Sequence, residues 1–141
     1  MAIAIGRAET AEQRDACRGI RLQVFVGEQN VPPERELDEW EESCAHYLAN
    51  VGREAVATAR LRFETDVAHI ERVAVLPEWR GRGIGEALMR HLMAEARRAR
   101  CARMEVGSQI QALPFYEKLG FQAYGDLYED AGIPHRHMRA A

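Results

Sequence analysis

Three glycines stand within five residues, at Gly81, Gly83 and Gly85, and arginines at Arg80 and Arg82 flank the first of them. The segment before them is apolar and typical of a strand, and a helical pattern begins within the loop itself. Glycines let backbone amides approach an anion closely, and the amides and dipole of a helix start attract it. Guanidinium groups match phosphate oxygens in geometry. The sequence therefore predicts a site for a phosphorylated ligand in this loop.

The residues around the third glycine narrow the class of ligand. A nucleotide-binding P-loop ends in Gly-Lys-Ser/Thr, which holds phosphate and magnesium, whereas Glu86 and Ala87 stand here. The dinucleotide fingerprint needs the spacing GxGxxG after a parallel-sheet strand, whereas the spacing here is GxGxG and no such unit precedes it. We therefore predict neither of these two nucleotide sites.

Two histidines, His135 and His137, alternate along a predicted strand and therefore face the same way. A pair so placed can bind zinc, but no third ligand is evident, and we expect no metal. The cysteines, Cys17, Cys44 and Cys101, are odd in number, widely spaced and free of CxxC or CxxH motifs. This usage argues against a disulfide framework and favours a reducing, cytoplasmic setting.

The elements that must position these residues mix helices with strands. Helical periodicity, a capping box at Thr10–Gln13, and proline or glycine at element ends predict three helices, which begin near residues 11, 83 and 113. The first helix is expected to end at the prolines of segment 31–36. Apolar runs bounded by turn residues predict strands at 3–7, 45–51, 55–61, 68–76, 104–106, 121–124 and 135–138. The order predicts an α/β or α+β domain with a mixed sheet.

Length and composition bound the class of protein. The chain has 141 residues and 16.0 kDa, which predicts a single domain over residues 1–141. A hydrophobic fraction of 47% with 29% charged residues is typical of a soluble globular protein. The net charge of −3 argues against a nucleic-acid partner. No apolar stretch approaches the ~20 residues of a membrane span, and the N-terminus shows no secretory signal, so we expect no membrane association.

Several segments resemble the GNAT superfamily of N-acyltransferases. Arg80-x-x-Gly83-x-Gly85 after a Val-x-Val strand resembles the coenzyme A signature of that family, and FYEKLGF at 115–121 resembles its late helix and following strand. Further segments resemble the YjcF/ElaA-like subgroup: 21–29, Val31-Pro32, Glu36-x-Asp38, His46 and 131–138. The resemblance implies a mostly antiparallel central sheet flanked by helices, with a splayed strand pair at the acyl-CoA site.

The resemblance also implies that acetyl-CoA is the co-substrate. In this family the pyrophosphate lies on the glycine-loop amides, and the pantetheine arm pairs with a strand edge through its two amides. The residues so implied for the cofactor are Val73, Ala74, Val75, Arg80, Gly81, Arg82, Gly83, Ile84, Gly85, Phe115 and Tyr116.

The implied reaction is direct attack of an amine on the acetyl carbonyl, with a backbone N–H near Val73 as the candidate oxyanion donor. Tyr116 occupies the position of the acid that protonates the leaving thiolate, and its ordinary pKa near 10 keeps it protonated at neutral pH. The alternative role of Tyr116 is packing beside Phe115.

Glu71 is the first candidate for the base. Because it lies two residues before Val73, we expect Glu71 on the same strand face as Val73 and Val75, and we expect burial to raise its pKa. Two alternatives stay open: Glu71 pairs with a neighbouring arginine, or Glu28 is the carboxylate that serves the acceptor.

The implied acceptor is the primary amine of a small molecule, with amino sugars and polyamine-like amines as candidates. The residues assigned to its pocket are Phe25, Glu28, Gln29, Glu71 and His135. Two other functions stay open, namely a non-catalytic acyl-CoA-binding sensor or partner module, and a protein N-acetyltransferase. A homodimer is a candidate assembly.

Overall fold

One seven-stranded sheet carries helices on both of its faces in the computed structural model, which describes all residues from Met1 to Ala141. The strands are β1 (Ile3–Arg7), β2 (Ala45–Val51), β3 (Glu54–Glu64), β4 (Val67–Val75), β5 (Arg103–Gln109), β6 (Gln122–Asp130) and β7 (Ile133–Ala140). The helices are α1 (Ala11–Arg21), α2 (Pro33–Glu36), α3 (Ile84–Arg98) and α4 (Leu113–Glu117). The strand order is β1-β2-β3-β4-β5-β7-β6, and only β4 and β5 run parallel. This confirms the predicted α+β class with a mixed, mostly antiparallel sheet.

Two apolar clusters attach the helices to opposite faces of the sheet. The larger cluster packs α3, through side chains such as Leu88, Leu92 and Met93, against the central strands. The smaller cluster packs α1 and the segment after it against the other face, through Cys17 and Ile20. Full burial of a leucine, isoleucine or methionine side chain stabilises the fold by about 1.5–3 kcal/mol. The sheet is therefore the middle of three layers, and a side chain on β4 faces either α1 or α3. No helix in the fold is long and apolar enough to cross a bilayer.

The first helix begins as predicted and ends differently. The N–H of Gln13 donates to Thr10 Oγ1 at 3.1 Å, and the N–H of Thr10 donates to Gln13 Oε1 at 3.1 Å, which is the predicted capping box. After α1 the chain widens into a π-helical segment, Leu22–Glu28. Pro33 does not end this helix but begins α2 instead, because proline fits the first helical position, where no N–H is needed.

The last two strands are longer than their predicted cores at 121–124 and 135–138. Between the pairs Tyr124↔His137 and Tyr128↔His135, β6 contains two more residues than β7, so β6 bulges. Gly125 takes a positive φ of 74° in the bulge, and its carbonyl accepts a hydrogen bond from Arg136 at 2.8 Å. This part of β6 contains charged residues and lacks an apolar run, so the sequence does not predict it as a strand.

The parallel pair β4–β5 is hydrogen-bonded only at its start. The paired residues run from Val67↔Arg103 to His69↔Glu105. Beyond them β4 stays paired with β3, and β5 stays paired with β7. The two strands therefore separate and leave the edge of β4 open from residue 70 to residue 75. This is the splayed strand pair that the family resemblance implies.

Candidate active site

A cleft of about 1110 Å³ lies where β4 and β5 separate. Every residue implied for the cofactor lines this cleft except Arg82, whose guanidinium lies 4.7 Å above the ring of Trp79 instead. Of the residues assigned to the acceptor, Phe25, Gln29, Glu71 and His135 line it as well, and Glu28 does not. The two predicted groups of residues therefore share one cavity.

The glycine loop turns the chain from β4 into α3 with left-handed backbone. Gly81 and Gly83 have φ of 75° and 79°, and Gly83 is the residue that precedes the first turn of α3. A side chain is disfavoured at both positions by conformation and not by crowding, because an added Cβ would contact nothing within 4 Å. Gly85 differs, since its Cβ would lie 3.4 Å from the ring of Phe115. The first amides of α3 are thus left accessible to an anion.

Arg80 is already held by protein groups. Its Nε donates to the carbonyl of Val75 at 2.9 Å, and its two terminal nitrogens each donate to an oxygen of Glu28 at 2.7 Å. These bonds hold the pKa of Glu28 below its ordinary value. Glu28 therefore ties the π-helical segment to the loop, and the structure does not bring it to the acceptor side of the cleft.

Tyr116 is buried in the wall of the cleft. Its ring makes edge contacts with Phe115 and Phe121, with centroids 4.9 and 6.0 Å apart. Burial raises the pKa of Tyr116 to about 12, above the ordinary value near 10. The hydroxyl is therefore fully protonated at neutral pH and can donate a hydrogen bond to a sulfur that gains negative charge. It is also a weaker acid than the sequence predicts.

Glu71 does not share a face with Val73 and Val75, so that expectation is wrong. Arg72 has a positive φ of 56°, and the register between β3 and β4 shifts at this point. This bulge reverses the alternation of side chains. Val73 and Val75 pack on the α3 side of the sheet, whereas Glu71 lies opposite Arg60 on the α1 side.

The pKa of Glu71 shifts in the opposite direction from the predicted one. Burial raises it, but hydrogen bonds and the charges of Arg62 and Arg60 outweigh burial and hold the pKa below its ordinary value. The carboxylate accepts bonds of 3.0 Å from Arg60 Nε and from Arg62 Nη2. The alternative of pairing with a neighbouring arginine is therefore what the structure shows. A carboxylate held in this way is a poor proton acceptor at neutral pH.

Glu71 belongs to a set of ion pairs that joins α1, α2, the segment after α2, β3 and β4. We call this set the arginine–carboxylate network. Its members are Arg21, Arg60, Arg62, Arg72, Glu36, Asp38, Glu41 and Glu71. Arg21, Arg60 and Glu36 are each only 1% exposed. Four positive and four negative charges balance, as burial of charge requires. The network fixes residues 36–41 over the bulged part of β4.

Some members of the network lie in the sequence segments that resemble the YjcF/ElaA-like subgroup. Arg21 Nε lies 3.0 Å from Glu36 Oε2, and Arg21 Nη1 lies 3.4 Å from His46 Nδ1. Arg60 and Arg62 lie outside every motif that the sequence shows. Their alternation with buried apolar residues on β3 was the available signal, because a charged residue on a buried strand needs a partner.

Aromatic and imidazole rings form the opposite wall of the cleft. His137 stacks on Tyr128 at 4.3 Å and on Tyr124 at 5.7 Å, and His135 lies 5.6 Å from Tyr128. All four residues line the cleft. We call these four residues the aromatic wall. The bulge in β6 places both tyrosines against His137. The sequence predicted that the two histidines face the same way but gave no role to the tyrosines.

Gly107 of β5 makes room for the aromatic wall, because a Cβ on it would overlap the Tyr128 hydroxyl. Tyr124 of β6 donates a hydrogen bond to Glu105, which lies on β5 like Gly107. His135 Nδ1 lies 2.6 Å from the carbonyl oxygen of Ile133. No three metal-ligating side chains gather anywhere in the fold.

Comparisons with known proteins agree with this geometry. The model of the acetyltransferase (GNAT) domain matches residues 9–141. The uncharacterised N-acetyltransferase YjcF of Bacillus subtilis (strain 168) is 36% identical over 132 residues, which are 93% of this chain and 94% of YjcF. The chain belongs to the GNAT acetyltransferase family. It is therefore an acyltransferase, and its acetyl donor is acetyl-CoA.

Two further comparisons concern a solved structure and a named enzyme. The crystal structure of Escherichia coli ElaA superposes with a TM-score of 0.89 at 27% identity, covering 99% of this chain and 100% of ElaA. The glucosamine 6-phosphate N-acetyltransferase of Trypanosoma brucei brucei is 47% identical over 58 residues, which are 41% of this chain and 40% of that enzyme. The resemblance to the GNAT superfamily and to its YjcF/ElaA-like subgroup is thus confirmed.

We predict that the network makes stability depend on acid pH. The pKa values of Asp38 and Glu71 are lowered in the folded protein: burial raises them, but their arginine partners outweigh it. A group whose pKa is lower when folded stabilises the fold above its unfolded pKa, ~4 for these carboxyls, and this stabilisation is lost as the pH falls through the folded pKa. Asp38→Asn should therefore lower the free energy of unfolding by roughly 3 kcal/mol at pH 7 and by much less near pH 3.

Urea denaturation at the two pH values measures this difference. Asp126→Asn is the matched control, because Asp126 is exposed on the bulge of β6 and should change stability little at either pH. An equal cost of Asp38→Asn at both pH values would show that charge in the network does not stabilise the fold.

Proposed function

We propose that the protein transfers the acetyl group of acetyl-CoA to the primary amine of a small molecule by direct attack, without a covalent enzyme intermediate. The observation that carries this proposal is one cleft that contains an open strand edge, a glycine loop at a helix start, and a buried protonated tyrosine. These three features suit the pantetheine arm, the pyrophosphate and the leaving sulfur of acetyl-CoA.

The open edge of β4 supports the placement of pantetheine. Backbone groups there are free of β5 from residue 70 onward, and the two amides of pantetheine can bond to them as an added strand would. The pyrophosphate then lies at the amides that follow Gly81 and Gly83. The thioester reaches the bulge at Arg72, where the N–H of Val73 is the proposed donor to the oxyanion.

The leaving thiolate has a pKa near 8.5 in its cysteine analogue, well below that of Tyr116. Tyr116 therefore acts chiefly by donating a hydrogen bond to the sulfur as the C–S bond breaks. Sulfur that carries negative charge in an apolar wall gains most from such a donor.

The amine must lose a proton before or during attack, because an alkyl amine with a pKa near 10.4 is protonated at neutral pH. The lowered pKa of Glu71 disfavours it as the group that takes this proton. Its carboxylate is already balanced by Arg60 and Arg62, so we assign Glu71 to the wall of the acceptor pocket and not to proton transfer. We propose that water in the cleft accepts the proton on the way to solvent.

Two contacts across the cleft favour a small acceptor over a peptide. Gln109 Nε2 donates to Gln29 Oε1 at 2.7 Å, and Arg35 Nη2 lies 3.4 Å from Asp130 Oδ1. They join the α1–α2 side to β5 and to the end of β6, so two side-chain contacts span the acceptor side. An open groove for a protein substrate would lack such bridges.

The aromatic wall favours an acceptor with a ring. The C–H face of a sugar ring, or a flat aromatic ring, can pack against His137 and Tyr128, while the His137 ring nitrogens can form hydrogen bonds with hydroxyl groups. The related trypanosomal enzyme is named for an amino sugar phosphate, which supports an amino sugar as the first acceptor to try. Polyamine-like amines come second, and a homodimer stays a prediction.

We predict that Tyr116→Phe lowers kcat by ~10²-fold and leaves the Kd for acetyl-CoA within about twofold. Removal of the hydroxyl takes away the donor to the sulfur but keeps the ring in place between Phe115 and Phe121. CoA release with a panel of amino sugars and linear amines measures kcat, and calorimetry measures Kd. Tyr47→Phe is the matched control, since Tyr47 is another buried tyrosine but does not line the cleft.

A Tyr116→Phe enzyme with the wild-type rate would contradict the role of Tyr116. Release of CoA by none of the amines, together with tight binding of acetyl-CoA, would instead favour the non-catalytic sensor. Acetylation of peptides at rates far above those of small amines would favour a protein acetyltransferase.

We also predict that Gly83→Asp weakens acetyl-CoA binding ~100-fold. The new carboxylate lies beside the first amides of α3 and repels the pyrophosphate. Gly52→Asp in the β2–β3 turn is the matched control, because Gly52 also has a positive φ of 61° with open space around its Cα. Unchanged affinity in Gly83→Asp would exclude the loop as the pyrophosphate site.

A further inference from the structure

One residue in the middle of a strand adopts a left-handed backbone. Five residues other than glycine have positive φ: Asn30, Thr65, Arg72, Arg100 and Ala131. Four of them lie in turns or between elements, and only Arg72 lies inside a strand. A left-handed conformation is costly for a residue with a side chain, so something around Arg72 must hold it there.

The side chain of Arg72 provides that hold. Its Nη2 donates to the carbonyls of Glu36 and Arg35 at 3.3 and 3.4 Å and lies 3.3 Å from Asp38 Oδ2. Its Nε lies 3.5 Å from Glu36 Oε2. Glu36 is itself fixed by Arg21 and is almost fully buried. Arg72 is therefore tied to the end of α2 from the bent point of β4.

The bend has a direct consequence for the cleft. At Arg72 the alternation of β4 reverses, so that Glu71 faces the network and Val73 faces the α3 side. Without the bend, the side chain of Val73 would face α1, and its N–H and C=O would point to the opposite edge of the strand. The groups proposed to meet the thioester would then point elsewhere.

We propose that Arg72 is a positioning residue, whose contacts with α2 hold the left-handed bend of β4 that presents Val73–Val75 to acetyl-CoA. The inference rests on the proposed placement of acetyl-CoA along this edge. Arg72 acts through the backbone of its own strand and not by contact with the reacting atoms.

Glycine at this position separates a backbone role from a role of the charge. Arg72→Gly loses the guanidinium but adopts a positive φ without steric cost, whereas Arg72→Ala loses the contacts with α2 and keeps the Cβ that disfavours a positive φ. In both variants Glu36 keeps Arg21 and Asp38 keeps Arg60 as ion-pair partners, so neither leaves a buried carboxylate alone. Arg72→Lys keeps the charge but not the fork of donors.

A backbone role of Arg72 therefore predicts a specific order of losses among these variants. Arg72→Ala should weaken the Kd for acetyl-CoA and lower turnover, each by about tenfold or more, and Arg72→Gly should recover most of both losses. Arg100→Ala and Arg100→Gly form the matched control pair, because Arg100 has a similar φ of 61° but lies in the turn after α3. They should change thermal stability alone. Calorimetry with acetyl-CoA and CoA release with the best amine give the two readouts.

Two results would overturn the inference. If Arg72→Gly is as impaired as Arg72→Ala while Arg72→Lys is active, the charge itself acts on a ligand. If all three variants bind and turn over like the wild type, the bend does not depend on this side chain. Failure of the proposed function looks different, because the wild type would then acetylate no amine while the order of the Kd values could still be measured.

Discussion

Two parallel strands that pair for three residues and then separate determine what this protein can bind. From residue 70 onward the separation leaves the β5-facing edge of β4 without a partner strand, although the Val75 carbonyl accepts a hydrogen bond from Arg80. Buried backbone groups require hydrogen bonds, so an open edge in such a place needs a ligand or water to complete it. The glycine loop, the first turn of α3 and Tyr116 all border the same opening. The remaining elements can be understood as the parts that keep the strands apart and close the opening from both sides.

On the α1 side of the sheet, the arginine–carboxylate network holds the chain after α2 against β4. Arginines buried to 1% exposure would be strongly destabilising alone, and they are tolerated because carboxylates from α2 and from the chain after it surround them. The same pairs keep residues 36–41 against the bend of β4 and lower the pKa of Glu71. One set of charges therefore shapes the acceptor side of the cleft and removes its most obvious candidate for a base. The Arg80–Glu28 pair extends this control to the glycine loop.

Local patterns in the sequence predicted the fold well, because capping residues, glycine turns and apolar periodicity act over a few residues. The capping box at Thr10, the β2–β3 hairpin and α3 all lie where these patterns place them. The position of Glu71 could not be predicted in this way. Counting by twos along a strand assumes regular pleating, and one left-handed residue at Arg72 reverses the result. The pairing of Glu28 with Arg80 also joins residues 52 apart in the chain, for which the sequence carries no periodic signal. Motifs thus predicted which residues line the cleft, whereas ion pairs between distant elements decide what each can do.

Amide hydrogen exchange tests directly whether the separated strands hold the cofactor, by comparing the ligand-free protein with its complex with desulfo-CoA, a CoA analogue without the thiol. Desulfo-CoA should slow exchange in residues 70–75 of β4 and in residues 81–87 of the loop and α3. ATP at the same concentration should leave residues 70–75 unchanged, because it has no pantetheine arm to pair with the open edge. Saturating binding of desulfo-CoA with unchanged exchange at residues 70–75 would show that the separated strands are not the cofactor site.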